Sequence, residues 1–182
     1  MSAAPGRPKL ARAAARQSAG TPVSAQPDFA QYFALTQLHA EYAHRVDAAD
    51  WDGWCGLFTE DCSYRLVPRE NYERGLPLAT LAFESQGMLR DRAYAIRETL
   101  FHDPYYQRHV VGAPRVLRLE GGRIHCESNY AVFRTKLSEL TTVFNVGRYV
   151  DIVVATGDGL RFASRTCVYD SEMIPNSIIY PI

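Results

Sequence analysis

From Phe29 to Val46 the large apolar residues recur three and four apart: Phe29, Tyr32, Phe33, Leu35, Leu38, Tyr42 and Val46. That period predicts a helix with one buried face, opened by Asp28 as N-cap after Pro27 and running to about Ala49. Asp50 is placed to cap a second, short helix with the stripe Trp51, Trp54, Leu57 and Phe58. Thr59-Glu60-Asp61 ends it, and Cys62–Val67 reads as a strand stopped by Pro68. Leu78 to about Ile96 is helical again, interrupted near Gly87, and residues 97–108, with Pro104, read as irregular. The period then shortens to two. Arg115–Leu119 and Ile124–Arg134 flank Gly121-Gly122, and Thr142–Ala155 and Leu160–Asp170 flank Gly157-Asp158-Gly159. In both places glycine supplies the positive φ of a tight hairpin turn. Alternation sets Phe144, Val146, Val150, Ile152 and Val154 on one face, and Leu160, Phe162 and Val168 on another. Helices first and long hairpins after them predict an α+β fold, a strongly curved, mainly antiparallel sheet packed on the N-terminal helices as a cone. The chain is apolar to its last residue, from Ile174 to Ile182, and such a segment docks on its own body or on a neighbour.

Composition divides the chain in two. Residues 1–27 carry Arg7, Lys9, Arg12 and Arg16, no acid and almost no large apolar residue. They read as a disordered basic tail, a start-site extension or solvated arm rather than the transit peptide they superficially resemble. Residues 28–182 form one domain, large enough for a real core without metal or disulfide. The whole chain has 20 basic and 20 acidic residues, so this body carries four more acids than bases. It offers no electrostatic footprint for nucleic acid and no apolar run long enough for a membrane helix. Cys55, Cys62, Cys126 and Cys167 form no Cys-x-x-Cys and no Cys-x-His unit. They are expected to be reduced and mostly buried, with the cytoplasm as location.

Candidate chemistry is sparse. His44 and Asp47 are three apart on the first helix and share a face, as a base and its carboxylate would, or as an ordinary surface pair would. His109 opens a strand after Tyr105-Tyr106 and could work beside Tyr64, or serve as a hydrogen-bonded structural histidine. His102, beside Asp103 in a loop, is weaker. His125 and Cys126 are adjacent, point to opposite strand faces and make a poor metal pair. A Rieske cluster needs local Cys-x-His and Cys-x-x-His units, which are absent. The two histidines and carboxylate of a mononuclear iron site have no local signature. A nucleophile elbow, a phosphate loop and a dinucleotide fingerprint are absent too. Arg69, Glu70, Glu73 and Arg74, beside Asn71 and Tyr72, form a mixed charge cluster, either a solvated loop or the polar rim of a subunit contact.

Several stretches together resemble a known family. They are Phe58-Thr59-Glu60-Asp61-Cys62-Ser63-Tyr64 after the Trp-x-x-Trp helix, Arg108-His109-Val110-Val111, Asn145-Val146-Gly147-Arg148-Tyr149-Val150-Asp151 and the Pro-Ile end. The family is the small (β) subunit of bacterial aromatic-ring-hydroxylating oxygenases, and the resemblance covers roughly residues 30–182. Within it, Arg69–Pro77 and Phe101–Tyr106 look most like the salicylate 5-hydroxylases, with benzoate, anthranilate and terephthalate members as close alternatives. The basic N-terminal extension departs from the family's short start. The resemblance implies a cystatin-like (NTF2-like) cone and assembly with a large (α) subunit, commonly as α3β3. The Rieske [2Fe-2S] cluster and mononuclear iron would lie in that α subunit, fed from NADH through a reductase and a ferredoxin. This chain would then be a structural support that holds no cofactor.

Two readings follow. In the first, the chain is the non-catalytic small subunit of such an oxygenase, converting salicylate to gentisate. In the second, it is a stand-alone acid–base dehydratase or isomerase of the same fold, working with His44, Asp47, Tyr64 and His109. The second requires those side chains to converge on one cavity, and a cone filled by aromatic side chains would sink it. For subunit contacts the sequence points to Arg69, Glu70, Tyr72, Arg74, Tyr105, Tyr106, Tyr180 and Ile182, aromatic and Arg-rich positions in irregular segments. On that reading, removing 178–182 weakens assembly and spares the fold.

Overall fold

The computed structural model describes residues 26–171, 173 and 177–182. The basic tail expected over residues 1–27 lies, for residues 1–25, outside the described residues. Helix α1 spans Phe29–Asp47. Asp28 and Gln31 close a reciprocal capping box, the Asp28 carboxylate accepting from Gln31 N at 2.8 Å and Gln31 Oε1 accepting from Asp28 N at 3.2 Å. A cap of this kind stabilises a helix by about 1 kcal/mol. The buried face is Leu35, Leu38, His39, Tyr42 and Val46. Phe29 and Phe33 are not in it: they are 84% and 53% exposed and stack on each other at 6.2 Å. Burial needs a facing layer as well as a period, and among the described residues Phe29 and Phe33 have none.

Helix α2, Trp51–Gly56, is capped by Asp50 as expected. Strand β1 then runs Phe58–Pro68 and begins four residues before the predicted one. A register shift between Phe58 and Ser63 accommodates the polar Thr59-Glu60-Asp61, which hides the strand's start in the sequence. A short α3, Arg69–Glu73, follows. The single helix expected over 78–96 is two elements. Strand β2, Leu81–Phe83, pairs with Tyr64–Leu66 of β1. Ser85 starts α4, Gln86–Tyr94, by accepting from Met88 N, and a π-helical turn, Ala95–Thr99, ends it. The irregular stretch expected up to 108 gives way at Tyr105 to β3, Tyr105–Val111. Its inward positions include Gln107 and His109, so polarity masks the alternation.

Strands β4 (Arg115–Glu120), β5 (Arg123–Lys136), β6 (Thr142–Thr156) and β7 (Gly159–Tyr169) complete one seven-stranded sheet. Its order is β2-β1-β7-β6-β5-β3, with β4 also on β5. Only β1 and β7 run parallel. Gly121 and Gly122 both take positive φ in the β4–β5 turn; in the β6–β7 turn only Gly159 does. The inward face of β6 is Tyr149, Asp151 and Val153, not the predicted even-numbered set. Val146 is exposed, and Val150, Ile152 and Val154 are half-buried. The β5–β6 ladder slips by one residue between Val132 and Phe133, so that Phe144 is buried while the rest of its predicted row is not. Residues 177–182 return to the helix-covered side, where Ile178 and Ile182 are buried.

Candidate functional site: the interior of the cone

At the centre of the cone lies an ion pair. Arg165 on β7 donates from Nε to Asp151 Oδ1 at 2.9 Å and from Nη2 to Asp151 Oδ2 at 2.8 Å. Both side chains are fully buried. The guanidinium carbon lies 4.0 Å from the ring centre of Tyr42, 4.1 Å from Tyr149 and 3.9 Å from Phe162. Burial pushes the arginine towards neutrality, and the Asp151 carboxylate more than reverses this, so the cation is held. For Asp151, burial raises the pKa and Arg165 opposes the rise. Three aromatic faces and one bidentate carboxylate surround the charge, while Arg165 Nη1 is buried without a hydrogen-bond partner among the described residues.

His39 of α1 completes the cluster. Its Nδ1 lies 3.2 Å from Ser128 Oγ and 3.4 Å from Arg165 Nη2, and its Nε2 lies 3.5 Å from Asp151 Oδ2. Arginine only donates, so Nδ1 accepts and the ring carries its proton on Nε2, facing the carboxylate. Burial, and after it the charge of Arg165, depresses the His39 pKa well below 6.5. The folded chain therefore holds His39 neutral, while the unfolded chain protonates it below about pH 6.5. Its contribution is complete above that pH and is lost as pH falls towards the folded value. Stability measured by urea unfolding is expected to drop below pH 6.5 with a slope approaching about 1.4 kcal/mol per pH unit. His39→Gln, which does not titrate, should flatten that part of the profile; parallel profiles for the two proteins would refute the assignment.

His39, Cys126 and Asp151 bring one nitrogen, sulfur and oxygen within 4.8 Å of one another, a metal-like triad among the described residues. The donor set does not fit an iron centre. Both Asp151 oxygens are taken by Arg165, so a metal there would sit against a guanidinium. Burial also pushes the Cys126 thiol up to about 12, far from a ready thiolate. All four cysteines are free and buried.

The second wall is aromatic. Tyr42, Trp54, Phe58, Tyr64 and Phe162 meet edge to face or tilted at ring distances between 5.4 and 6.2 Å. Tyr130 stacks on Tyr149 at 4.3 Å and donates to Asn145 Oδ1 at 2.7 Å. The remaining space holds Ile182. Its main-chain oxygen accepts from Tyr42 Oη at 2.6 Å and Tyr64 Oη at 3.1 Å, and its N donates to Tyr64 Oη at 2.9 Å.

The acid–base set read from the sequence does not assemble. His44 is exposed. Asp47 pairs instead with His109: its Oδ1 lies 2.6 Å from His109 Nδ1, and both its oxygens accept from His109 N. This ties α1 to β3. Tyr64 is committed to Ile182. A surface cavity of about 710 Å³ is lined by Phe58, Glu60, Arg90 and Arg161, and by none of the four. The residues that do form the interior (Arg165, Asp151, His39) were not singled out by sequence reasoning.

The surface candidates divide as well. Arg69, Glu70, Tyr72 and Arg74 are exposed, with Arg69 on Asp170 at 2.6 Å and Arg74 on Glu70 at 2.8 Å. Tyr106 is 79% exposed. Tyr105 and Tyr180 are half-buried and pack on each other at 4.5 Å, and Tyr180 also lies 5.1 Å from Trp51. Ile182 is fully buried. These last three belong to the chain's own packing, and removal of 178–182 would open the core, contrary to the expectation that it spares the fold.

A sheet curled around α1 and α2 defines the NTF2-like cone, and its polar centre is packed shut. The sequence matches the ring-hydroxylating β-subunit family over residues 40–176, and the chain belongs to that family. It is 33% identical over 155 residues to the anthranilate 1,2-dioxygenase small subunit of Burkholderia cepacia, covering 85% of this chain and 96% of that one. It is 29% identical over 148 residues to a β subunit of the terephthalate 1,2-dioxygenase terminal oxygenase component of a Comamonas species, covering 81% and 96%. A solved structure from Novosphingobium aromaticivorans, assigned as the β subunit of an aromatic-ring-hydroxylating dioxygenase, superposes with a TM-score of 0.76 at 35% identity, covering 84% and 97%.

Proposed function

We propose that this chain is the non-catalytic small subunit of the terminal oxygenase of an aromatic-ring hydroxylase, and that the ring it serves is salicylate, taken to gentisate with NADH and O2. The observation that carries the first part is the closed cone. Arg165, its aromatic cage and Ile182 occupy the space a substrate would need. The iron chemistry is then the work of a large (α) subunit holding the Rieske cluster and mononuclear iron, in an α3β3 assembly supplied by a ferredoxin and a reductase. The exposed Arg69, Glu70, Tyr72, Arg74 and Tyr106 are assigned to contacts with that subunit, polar and aromatic groups of the kind interfaces use. Four free thiols fit the cytoplasm. Among the described residues no helix is long and apolar enough to cross a membrane.

Salicylate is supported by the Arg69–Pro77 and Phe101–Tyr106 segments and by chemistry. The relatives named above are named for anthranilate and terephthalate, both aromatic carboxylates, and anthranilate differs from salicylate only in its ortho substituent. The test is turnover by the reconstituted oxygenase with its ferredoxin and reductase, offered salicylate, anthranilate and terephthalate in turn. Gentisate formation from salicylate is the expected result. Turnover of another acid with salicylate untouched would overturn the substrate and leave the subunit role standing.

A further inference from the structure

Ser177–Ile182 is held differently from the strands. Strands β1 to β7 are joined main chain to main chain. Among the described residues, the main-chain hydrogen bonds of this segment run to side chains. Arg92 Nη2 of α4 donates to Ile178 O at 3.1 Å and to Ile179 O at 2.6 Å. Tyr105 Oη accepts from Tyr180 N at 3.4 Å, and Gln107 Nε2 donates to Pro181 O at 3.3 Å, both from β3. Tyr42 of α1 and Tyr64 of β1 converge on the Ile182 oxygen. Its anchors are Ile178, Tyr180, Pro181 and Ile182, and the chain bends at Tyr180. Ile178 and Ile182 are buried, and between them Tyr180 enters an aromatic box of Trp51, His102 and Tyr105, with its hydroxyl 2.9 Å from His102 Nε2. Fixed side chains that read main-chain oxygens, with enclosed places for apolar and aromatic side chains, are how proteins recognise a peptide segment.

We infer that Ser177–Ile182 is an intramolecular peptide ligand of the cone, and that the cleft it fills is a binding site for an aliphatic peptide with an aromatic residue near its centre. Five separate elements contribute the reading side chains, since Cys167 Sγ of β7 also donates to Ile182 O at 3.3 Å, so the cleft is assembled from across the fold. The inference stands apart from the subunit role: a peptide cleft is compatible with any activity of the assembly.

The test begins with the full, folded chain. A protease recognition sequence is placed over residues 171–173, whose Ser171 and Met173 are exposed, and the chain is cut there under native conditions. The released fragment is expected to co-elute with the body at one to one. It should then exchange saturably with a labelled synthetic peptide Ser-Ile-Ile-Tyr-Pro-Ile. Tyr42→Phe combined with Tyr64→Phe removes three hydrogen bonds to Ile182, two accepted by its main-chain oxygen and one donated by its N, and should weaken that peptide about tenfold or more. If cutting unfolds the body, excess peptide should restore its circular dichroism and melting transition, and a peptide of reversed sequence should not. A fragment that is lost and never rebinds, that stays bound without exchange up to global unfolding, or a body that excess peptide does not rescue, would overturn the inference.

Discussion

Replacing Arg165 by Met is expected to lower stability by about 3–5 kcal/mol, the usual cost of stripping one partner from a buried ion pair. Asp151 would be left fully buried with no cation to face, with the neutral ring of His39 3.5 Å away. The three aromatic contacts of the guanidinium are lost too, each worth on the order of 1–2 kcal/mol when desolvated, though their effects overlap. For a chain of this size the melting point should fall by roughly 6–20 °C. The double variant Arg165→Met, Asp151→Leu removes both charges and should recover most of the loss, because buried pairs are replaceable by apolar side chains of similar volume at little net cost. Thermal melts of the three proteins measure this directly. A single variant within 1 kcal/mol of the parent, or a double variant worse than the single, would mean the pair does not organise the core.

Gly147→Ala should be comparably severe for a different reason. Gly147 lies on β6 opposite Tyr169 of β7 and Tyr130 of β5. A Cβ built there would run into the Val168 carbonyl oxygen and stand 2.8 Å from Tyr169 Cα. Both obstacles are main chain, so no rotamer change relieves them. Glycine is needed here for close approach of two strands, not for an unusual φ. Overpacking of this kind costs on the order of 3 kcal/mol or more, which is about 6–12 °C in melting temperature. Gly157→Ala, in open space at the β6–β7 turn, is the control and should melt within about 2 °C of the parent, since a surface change of this kind stays within about 0.5 kcal/mol. Equal melting points for the two variants would refute the argument.

Much of this architecture was legible in the sequence, and its errors have a common cause. Asp28, Asp50 and the two glycine turns announce themselves by local chemistry, and those elements lie where the pattern sets them. The cone's polar core does not. Counting back from the β6–β7 turn, an unbroken ladder sets Asp151 opposite Ser164, leaving Arg165 to the other face. A one-residue register shift between Ile152 and Val153 sets Asp151 opposite Arg165 instead. No residue type marks that shift, and an alternation count naturally assigns the charged positions to solvent and the valines to the core. The same polarity hid β3, whose inward side carries Gln107 and His109. His44 and Asp47 failed as a pair because helical spacing brings side chains to one face without saying what that face meets; β3 supplied His109 as the partner. The Pro-Ile end reads as a docking segment on its own body or a neighbour, with Tyr180 and Ile182 assigned to subunit contacts; the fold places both in the chain's own cone.

On the proposed function, the chain completes an iron oxygenase without holding iron itself. Co-expression with a Rieske-type large subunit, followed by light-scattering mass and iron content for the complex and for this chain alone, tests it most directly. An equimolar complex that carries all of the iron, beside an iron-free small subunit, is the predicted result. Stoichiometric iron on the isolated chain, or two subunits that never associate, would contradict it.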